Sequence, residues 1–427
     1  MRILMINHLR RYRCWHRAGS FALQLDERGH DVTLLVISDK ERRRFSESVY
    51  RGVRLVECPD LLFGNARSGW DPVCAIRRML WLARDSRSYD VVHLFETRPA
   101  TIIPGLWFAR ATKTPLVIDW NDWWGRGGII SVRRPWWYKL AFGGLETFFE
   151  EYFRRFAHAT TVISKGLFRR AVSLGIDPDS ITHLHPGIDG KRFADAGRND
   201  VRAKLGYRNS DFVLGYSSQD TFYDMAPVFE ALKIAHDKAP QIKLLLVGKH
   251  SRAIAEAIKQ HGLEPVTCLA GFVSDSDYPK YLAAADAFVV PFPETTYNIG
   301  RWPNKFGDYL AAGRPIVFNP VGDLAGFAHN PPGIACSFSA ESFAHAFCRL
   351  AENRQARNGF RLRAQQLMRD RFNWKNQINL LERVYARARL ILRGEVCNER
   401  HRAFCSNSGR DGFHTSCMDT YHQLGIA

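Results

Sequence analysis

The stretch PLVIDWNDWWGRGG, residues 115–128, decides the fold class, because it runs from an apolar, strand-like segment directly into a polar, glycine-rich loop. A helical segment follows from about Trp136 to His158, and a second apolar run, ATTVIS, occupies residues 159–164. Near-continuous β-branched runs that alternate with helices are typical of a parallel sheet covered on both faces. We therefore predict that the first half of the chain is a doubly wound α/β domain.

The same alternation extends in both directions. Residues 2–7, 31–38 and 91–96 also have the composition of strands, and after HPGIDGKRF at 185–193 the cycle restarts with VLGYSS at 213–218. The sequence thus predicts an α/β protein with two Rossmann-like, doubly wound domains that face a cleft. The predicted units are a first domain over residues 1–190, a second over 191–372, a helix over 373–393 that crosses back to the first domain, and a poorly ordered tail over 394–427.

Composition narrows the class of protein. The chain has 427 residues, 46% of them hydrophobic and 24% charged, as expected for a globular protein. A net charge of +17 favours phosphorylated ligands, nucleic acid or anionic lipid headgroups as partners. Nine scattered cysteines favour a reducing compartment, and no apolar run is long enough for a membrane-spanning helix. We expect a cytoplasmic protein, with peripheral contact to the inner face of the cell membrane as an open alternative.

The tail contains several residues that bind metals in other proteins. Zinc ligands are usually paired at closer intervals than these residues, so we expect a poorly ordered tail rather than a metal site. The residues concerned are Cys397, Cys405, His414 and Cys417.

Basic and aromatic residues crowd the loop HLRRYRCWHRAGS, residues 8–20, between the first strand and the first helix. In open α/β sheets the ligand lies beyond the carboxyl ends of the strands, and an anion is well placed beside a helix N-terminus. We assign Arg17, Trp15 and His16 to the cleft as acceptor-binding residues. A solvated basic loop is the alternative.

Two carboxylates and two tryptophans lie at or directly after the end of the strand predicted at residues 115–121. Asp122 or Asp119 can bind sugar hydroxyls or assist a proton transfer, and they are our candidate catalytic residues. A structural Asp cap with a tryptophan plug under the interdomain hinge is the alternative. The acceptor-binding residues predicted in this loop are Trp123, Trp124, Gly125 and Arg126.

The segment PETTYNIGRWPNKFGDYLAAGRPIV, residues 293–317, places a polar loop just before a helix. Arg301 and Lys305 add cations near the backbone amides at the helix start, and Asp308 follows one turn later, where a carboxylate can accept two hydrogen bonds from a ribose. A capped surface helix with an ion pair is the alternative. The predicted donor-binding residues are Asp308, Lys305, Arg301, Asn304, Lys249, Asn298, Ile299 and Ser218.

Residues 1 to about 390 resemble a GT-B glycosyltransferase of family 4. The resemblance implies that the second domain binds a sugar nucleotide and the first binds the acceptor. It also implies that transfer retains the anomeric configuration and that the protein holds no metal and no other cofactor. The motifs that carry it are RGHDVT at 28–33, DVVH at 90–93, TTVIS at 160–164, HPGID at 185–189 and NKFGDYLAAGRPIV at 304–317.

The sequence departs from the family pattern at several positions. Of the two glutamates that the family often carries, the second matches Asp308 and the first falls at Gly300. The usual His-Asp pair appears as Asn121-Asp122. YSSQDTFYD at 216–224 lacks the Arg and Lys that often bind the diphosphate, so Arg301, Lys305 and Lys249 are the expected substitutes. The glycine pair common in the first loop is replaced by CWHRAG at 14–19.

The leading function is transfer of a hexose from a UDP- or GDP-sugar onto a polysaccharide or lipid-linked acceptor. A nucleotide-sugar-binding protein without transfer activity is one alternative. Nucleic-acid binding is another, although the basic residues are spread over both domains and no nucleic-acid motif is present, so we expect no nucleic-acid partner.

The segment from Arg133 to Phe156 mixes cations with aromatic residues, a composition suited to a membrane headgroup region. We restrict the membrane prediction to the helix start, that is, to Arg133, Arg134, Trp136 and Trp137. A buried face is predicted for Phe142, Leu145, Phe149 and Phe153, which recur at helical spacing.

Overall fold

The computed structural model contains two β-sheets, each with helices on both faces, and describes residues 1–39, 43–62, 67–193, 197–219 and 224–395. The strands of the first sheet are β1 Arg2–Arg10, β2 Asp31–Ile37, β3 Ser46–Tyr50, β4 Val53–Cys58, β5 Val91–Phe95, β6 Leu116–Trp120, β7 Ala159–Val162 and β8 Ile181–His183. Those of the second are β9 Phe212–Gln219, β10 Ile242–Lys249, β11 Thr267–Gly271, β12 Ala287–Val290, β13 Ile316–Phe318 and β14 Gly333–Ala335.

The strand orders confirm the predicted doubly wound α/β class. The first sheet has the order β3-β4-β2-β1-β5-β6-β7-β8 and is parallel except for β3, which pairs antiparallel with β4. The second has the order β11-β10-β9-β12-β13-β14 and is parallel throughout. In each sheet the strands are added first to one side and then to the other side of the first strand. The change of side falls between β1 and β5 in the first sheet and between β9 and β12 in the second, and doubly wound sheets bind ligands at such points.

The helices connect and cover the strands. The last helix of the described residues, Trp374–Leu392, packs on β6 and β7 and on the helix Ala18–Asp26, and so brings the chain back to the first domain. The helices of the first half are α1 Arg11–Cys14, α2 Ala18–Asp26, α3 Pro72–Arg84, α4 Pro99–Thr112, α5 Ile129–Arg133, α6 Trp136–Tyr152 and α7 Lys165–Ser173. Those of the second half are α8 Arg198–Lys204, α9 Ala226–Lys238, α10 Arg252–Gln260, α11 Tyr278–Ala283, α12 Thr296–Ile299, α13 Asn304–Ala311, α14 Ala340–Glu352, α15 Arg354–Asp370 and α16 Trp374–Leu392.

One hydrophobic cluster belongs to both halves of the chain. It joins Trp120 and Val162 of the first sheet to Phe292 and Phe306 of the second half. Burial of large apolar side chains from both sides stabilises the contact between the domains, by about 25 cal/mol per Å² of apolar area removed from water. The joint between the domains is therefore packed rather than water-filled at this point.

Helix α6 is polar on its buried side, so the prediction of a buried aromatic face was wrong in part. Leu145 is 45% exposed, and Phe142, Phe149 and Phe153 are only partly buried. The carboxylate of Glu150 is needed inside because buried backbone N–H groups of a neighbouring loop require acceptors. The buried residues of α6 are Tyr138, Glu146, Thr147 and Glu150.

In the described part of the chain, no helix combines the length and the apolar composition that crossing a bilayer requires.

Candidate active site

Arg17 and Asp119 form a buried ion pair, which corrects the prediction that the two side chains face the cleft. Arg17 Nε and Nη2 donate to the two Asp119 carboxylate oxygens at 2.7 and 2.6 Å, and Asp119 is fully buried. The guanidinium outweighs the effect of burial and holds the pKa of Asp119 below its ordinary value. Arg17 also donates to the carbonyl of Leu184, at the end of the first domain. The pair therefore ties three distant segments together in the interior.

Asp122 lies in a loop whose backbone is held by a second carboxylate. Glu96 directly follows β5 and has a φ of 68°, in the left-handed region that residues other than glycine rarely adopt. Its Oε1 accepts hydrogen bonds from the backbone N–H groups of Asn121 at 2.7 Å and Asp122 at 3.1 Å. Burial raises the pKa of Glu96, and Arg154 bonds its other oxygen at 2.9 Å. Asp122 itself is half-buried at the carboxyl end of β6.

A third carboxylate, Glu150 of α6, holds the next part of the same loop. It accepts from the backbone N–H groups of Trp124 at 2.7 Å and Gly125 at 2.5 Å, and from the indole of Trp120 at 3.1 Å. Burial raises its pKa to about 7, although Arg154 and these backbone donors oppose the shift. Two buried glutamates thus set the backbone of the loop that carries the predicted catalytic and acceptor residues.

The predicted acceptor residues of this loop have different surroundings. The Trp124 ring lies 4.3 Å from the Arg98 guanidinium carbon, a cation–π distance. Trp123 donates from its indole to the carbonyl of Arg126, whose side chain is exposed. Gly125 is buried, with Glu150 where a side chain would be, so it contacts protein.

On the second domain, Asp308 lies on α13 and faces the joint. Its carboxylate accepts a hydrogen bond from the Tyr278 hydroxyl at 3.1 Å, and the Tyr278 oxygen also lies 3.1 Å from Ser217 Oγ, whose own hydroxyl can donate to it. Burial raises the pKa of Asp308 to about 6. A carboxylate that is costly to ionise in isolation gains when ligand hydroxyls donate to it. Pro303 precedes α13 as its N-cap rather than occupying the first turn.

The predicted cations lie at the carboxyl ends of the central strands. Lys305 Nζ lies 3.9 Å from the centre of the Tyr216 ring on β9. Arg301 packs over the Tyr297 ring at 4.1 Å and lies 3.5 Å from a carboxylate oxygen of Asp224. Among the described residues, Arg301 Nε is buried and has no hydrogen-bond partner, so an anion can supply one. Lys249 is exposed at the end of β10, and Ser218 lies near the end of β9.

The donor loop itself packs against the first domain. Asn298 is buried and donates to the carbonyl of Pro293 at 2.7 Å, while Ile299 lies against Gly166 at the start of α7. A Cβ atom placed on Gly300 would lie 2.7 Å from the Cβ of Trp123. Trp123 thus occupies the space where a side chain at position 300 would begin, which explains why glycine stands there.

A cavity of about 330 Å³ lies between the two halves and brings several predicted residues together. Trp15 and His16 line it from the first domain, and Asn304 and Asp308 line it from the second. The connecting segment 186–193 contributes another wall. Two residues predicted for the acceptor and two predicted for the donor therefore share one interdomain cavity, whereas Asp122, Arg301, Lys305 and Lys249 are not among the residues that line it.

Sequence reasoning did not single out Glu150, Arg154 and Tyr278. A usable signal for the first two was the spacing of Glu146, Glu150 and Arg154, which places three charged residues on one side of an aromatic helix. Arg154 is fully buried, with its guanidinium carbon 4.0 Å from the centre of the Trp120 ring. Tyr278 gave no local signal, because its role depends on a contact 30 residues away.

None of the predicted site residues forms a metal-binding cluster within the described ranges. The group of His, Cys, Asp or Glu residues that can hold an ion there is His183, His185 and Asp323. The tail residues Cys397, Cys405, His414 and Cys417 lie outside the described residues, as does the predicted disorder of that tail.

Two Rossmann-like domains packed across a ligand-sized cavity define the GT-B class. Solved structures share this architecture. HepE of Anabaena, crystallised with UDP, matches with a TM-score of 0.66 and 15% identity over 90% of this chain and 100% of its own. Sucrose-phosphate synthase of Thermosynechococcus elongatus matches with a TM-score of 0.68 and 16% identity over 90% of this chain and 98% of its own.

Two family models cover most of the chain. The Glycosyl transferase 4-like domain matches residues 14–187, and the Glycosyl transferases group 1 domain matches residues 218–353. The chain belongs to the GT-B glycosyltransferases. A curated relative, D-inositol 3-phosphate glycosyltransferase of a Nocardioides strain, is 26% identical over 247 residues, 52% of this chain. The alignment spans about half, 51%, of that relative.

Proposed function

We propose that this glycosyltransferase moves a hexose, with retention of configuration, from UDP- or GDP-sugar onto a polysaccharide or lipid-linked acceptor. In this proposal, residues 191–372 bind the donor and residues 1–190 bind the acceptor. The observation that carries it is the shared interdomain cavity, in which Asp308 of α13 faces residues of the first loop. UDP in the crystal structure of HepE supports a sugar nucleotide as the ligand of such a cleft.

The donor is held through complementary charge. Asp308 accepts hydrogen bonds from the ribose hydroxyls, and these bonds offset the free energy that the carboxylate loses when it is buried away from water. Lys305 and Arg301, with Lys249 nearby, bind the diphosphate, and a guanidinium whose buried Nε has no hydrogen-bond partner among the described residues suits a phosphate oxygen. No metal is required, because these side chains supply the positive charge that neutralises the leaving group.

The reacting centre is assigned to Asp122. Its loop is fixed by Glu96 and Glu150 through hydrogen bonds from consecutive backbone N–H groups. A carboxylate held in this way interacts with the acceptor or with developing charge at little cost in reorganisation. Asp119 is assigned a positioning role through Arg17.

A lipid-linked acceptor is favoured by the outer face of α6. Trp136 is 75% exposed and Leu140 is 82% exposed, next to the exposed cations Arg134 and Lys139. Aromatic and aliphatic side chains bordered by cations suit an anionic membrane surface. The side chain of Arg133, predicted for the same contact, lies outside the described residues. The apolar surface extends along the helix through Trp137, Leu145, Phe148 and Tyr152.

A nucleotide-sugar-binding protein without transfer activity is the second candidate. The contact of Trp123 with Gly300 favours it, because the tryptophan fills space that a donor-contacting glutamate occupies in the family pattern. The two functions differ in turnover and not in donor binding. Release of nucleotide from the bound sugar nucleotide, with or without acceptor, therefore distinguishes them.

Donor binding is tested by calorimetry with UDP, GDP and ADP and their sugars. Asp308→Ala should weaken the preferred nucleotide about 10- to 100-fold, the effect of losing a hydrogen bond to a charged group. Asp237→Ala, an exposed carboxylate on α9, is the matched control and should bind normally. Unchanged affinity in Asp308→Ala contradicts the assignment. Asp122→Asn should retain nucleotide affinity and lose turnover.

The membrane contact is tested by sedimentation with vesicles. Wild-type protein should bind anionic vesicles at low salt, and binding should weaken as salt screens the exposed charges. Leu140→Ser should bind less, whereas Leu362→Ser, which changes a 65% exposed leucine on α15, should not. Equal sedimentation with neutral and anionic vesicles contradicts the membrane contact.

A further inference from the structure

Two histidines and one carboxylate meet where the domains join. His183 ends β8, His185 follows in the connecting segment, and Asp323 lies in a short 3₁₀ helix, Gly322–Phe327, of the second domain. Both Nε2 atoms approach the same oxygen, Asp323 Oδ2, at 2.9 Å from His183 and 3.2 Å from His185. All three ligand atoms lie within 4.8 Å of one another.

We propose that His183, His185 and Asp323 bind one divalent transition-metal ion of the zinc type across the domain joint. Bonds of about 2.0–2.1 Å at tetrahedral angles separate neighbouring ligand atoms by about 3.3 Å. The two measured N···O separations, 2.9 and 3.2 Å, are within a few tenths of an ångström of that value. Two imidazole nitrogens and one carboxylate oxygen are a common ligand set for zinc, and water completes the fourth position.

The ligands are held in place by their neighbours. The second oxygen of Asp323 accepts a hydrogen bond from the backbone N–H of Lys165 at 2.8 Å. The His185 ring packs against Trp302 with centroids 4.3 Å apart and against Phe372 at 5.3 Å. Outer contacts of this kind orient metal ligands and raise affinity. Asp323 is 8% exposed, so its charge is largely withdrawn from water and gains from a cation.

An ion at this position would join the domains. His183 belongs to the first domain and His185 to the segment that leaves it, whereas Asp323 belongs to the second domain. Gly322, beside Asp323, packs against the donor loop: a Cβ atom there would lie 3.2 Å from the carbonyl oxygen of Asn298 and from the Cα of Ile299. Metal binding would therefore restrain the donor loop relative to the first domain. This role goes beyond the proposed sugar transfer, in which no metal takes part.

The alternative is a metal-free cluster in which His185 donates to Asp323, and His183 Nε2, which also lies 3.1 Å from the carbonyl oxygen of Ile163, shares its hydrogen between that carbonyl and Asp323. Calorimetric titration of the chelator-treated full chain with ZnCl₂ decides between the two. If the metal site is present, the chain should bind one zinc ion. His345→Asn, which replaces an exposed histidine on α14, is the matched control and should still bind that ion. His183→Asn and Asp323→Asn should each weaken binding by more than the 10- to 100-fold that loss of an outer-shell partner costs.

Cobalt(II) substitution separates this site from the tail. Cobalt bound by histidine and carboxylate lacks the thiolate-to-metal absorption that cysteine ligands produce. The site is supported if the spectrum of bound cobalt lacks the thiolate band and if that spectrum of bound cobalt disappears in His183→Asn. Either result that follows overturns it: a strong thiolate band, which places the ion at Cys397, Cys405 or Cys417, or unchanged zinc affinity in His183→Asn. Circular dichroism checks that each variant is folded, and His183→Gln replaces His183→Asn if it is not.

Discussion

Replacing Glu150 by glutamine should separate the stability of this protein from its activity. Glu150 accepts two backbone hydrogen bonds from Trp124 and Gly125 and one from the indole of Trp120. As a carboxylate it offers an acceptor to every donor, whereas the glutamine amide has one oxygen and an NH₂ group. The variant resembles the protonated acid and should hold the loop with Asp122 less firmly.

The magnitude follows from the pKa. Burial raises the pKa of Glu150 to about 7, while an unfolded glutamate titrates near 4.3. Between these values the folded chain retains a proton that the unfolded chain has lost, so the free energy of unfolding falls as pH rises. At about 1.36 kcal/mol per pKa unit, the free energy of unfolding of the wild-type chain should fall by up to about 3 kcal/mol between pH 4.3 and 7. Glu150→Gln has no titrating group at this position and should not show this fall.

Urea unfolding measures this difference directly. At pH 5 the two proteins should have similar free energies of unfolding, and at pH 8 Glu150→Gln should be the more stable one. Transfer activity should change in the opposite sense, because the carboxylate form orders the loop: wild-type activity should fall as pH drops through 7, and the variant should be less active at pH 8. Glu151→Gln, at the neighbouring position on α6, is the control. Parallel stability curves for wild type and Glu150→Gln would refute the reasoning.

Three further substitutions test other contacts. Arg17→Met leaves Asp119 buried without its partner, so urea unfolding should show a loss of about 3–5 kcal/mol that Asp119→Leu in the same chain largely restores; a loss below about 1 kcal/mol would count against the pair. Gly300→Ala should lower thermal stability by about 1–3 kcal/mol through contact with Trp123, and an unchanged melting temperature would show that the domains do not close there. Lys305→Met should weaken UDP binding about 10- to 100-fold in calorimetry while uridine binds as before; equal losses for both would place Lys305 away from the diphosphate.

Helix α6 shows how a local pattern can mislead. The spacing of its aromatic residues predicted a buried apolar face, but the structure buries Glu146 and Glu150 and leaves Leu145, a residue of that predicted face, 45% exposed. Periodicity shows that a helix has two different faces and does not show which one is inside. The loop that it supports has backbone N–H groups whose acceptor is the Glu150 carboxylate, and their need for that acceptor decided the orientation.

The donor side was easier to anticipate. Asp308 and Asn304 line the cavity, as a carboxylate and an amide at a helix start predicted. These residues are close in sequence and share one short helix, so local geometry brings them together. Tyr278, which bonds Asp308 from another helix, could not be found in this way.

The sequence by itself determined the class of fold and the order of its elements, because short-range hydrophobic patterns indicate which segments are strands and which are helices. It also indicated where a ligand binds, because the carboxyl ends of parallel strands lie at one edge of the sheet. The tertiary structure alone decided which charges are used for support and which face the cavity. Arg17 and Asp119 are 102 residues apart and both were predicted for the cleft, yet they neutralise each other in the interior. Burial and pairing depend on what the folded chain places around a side chain, and no local pattern in the sequence encodes those distances.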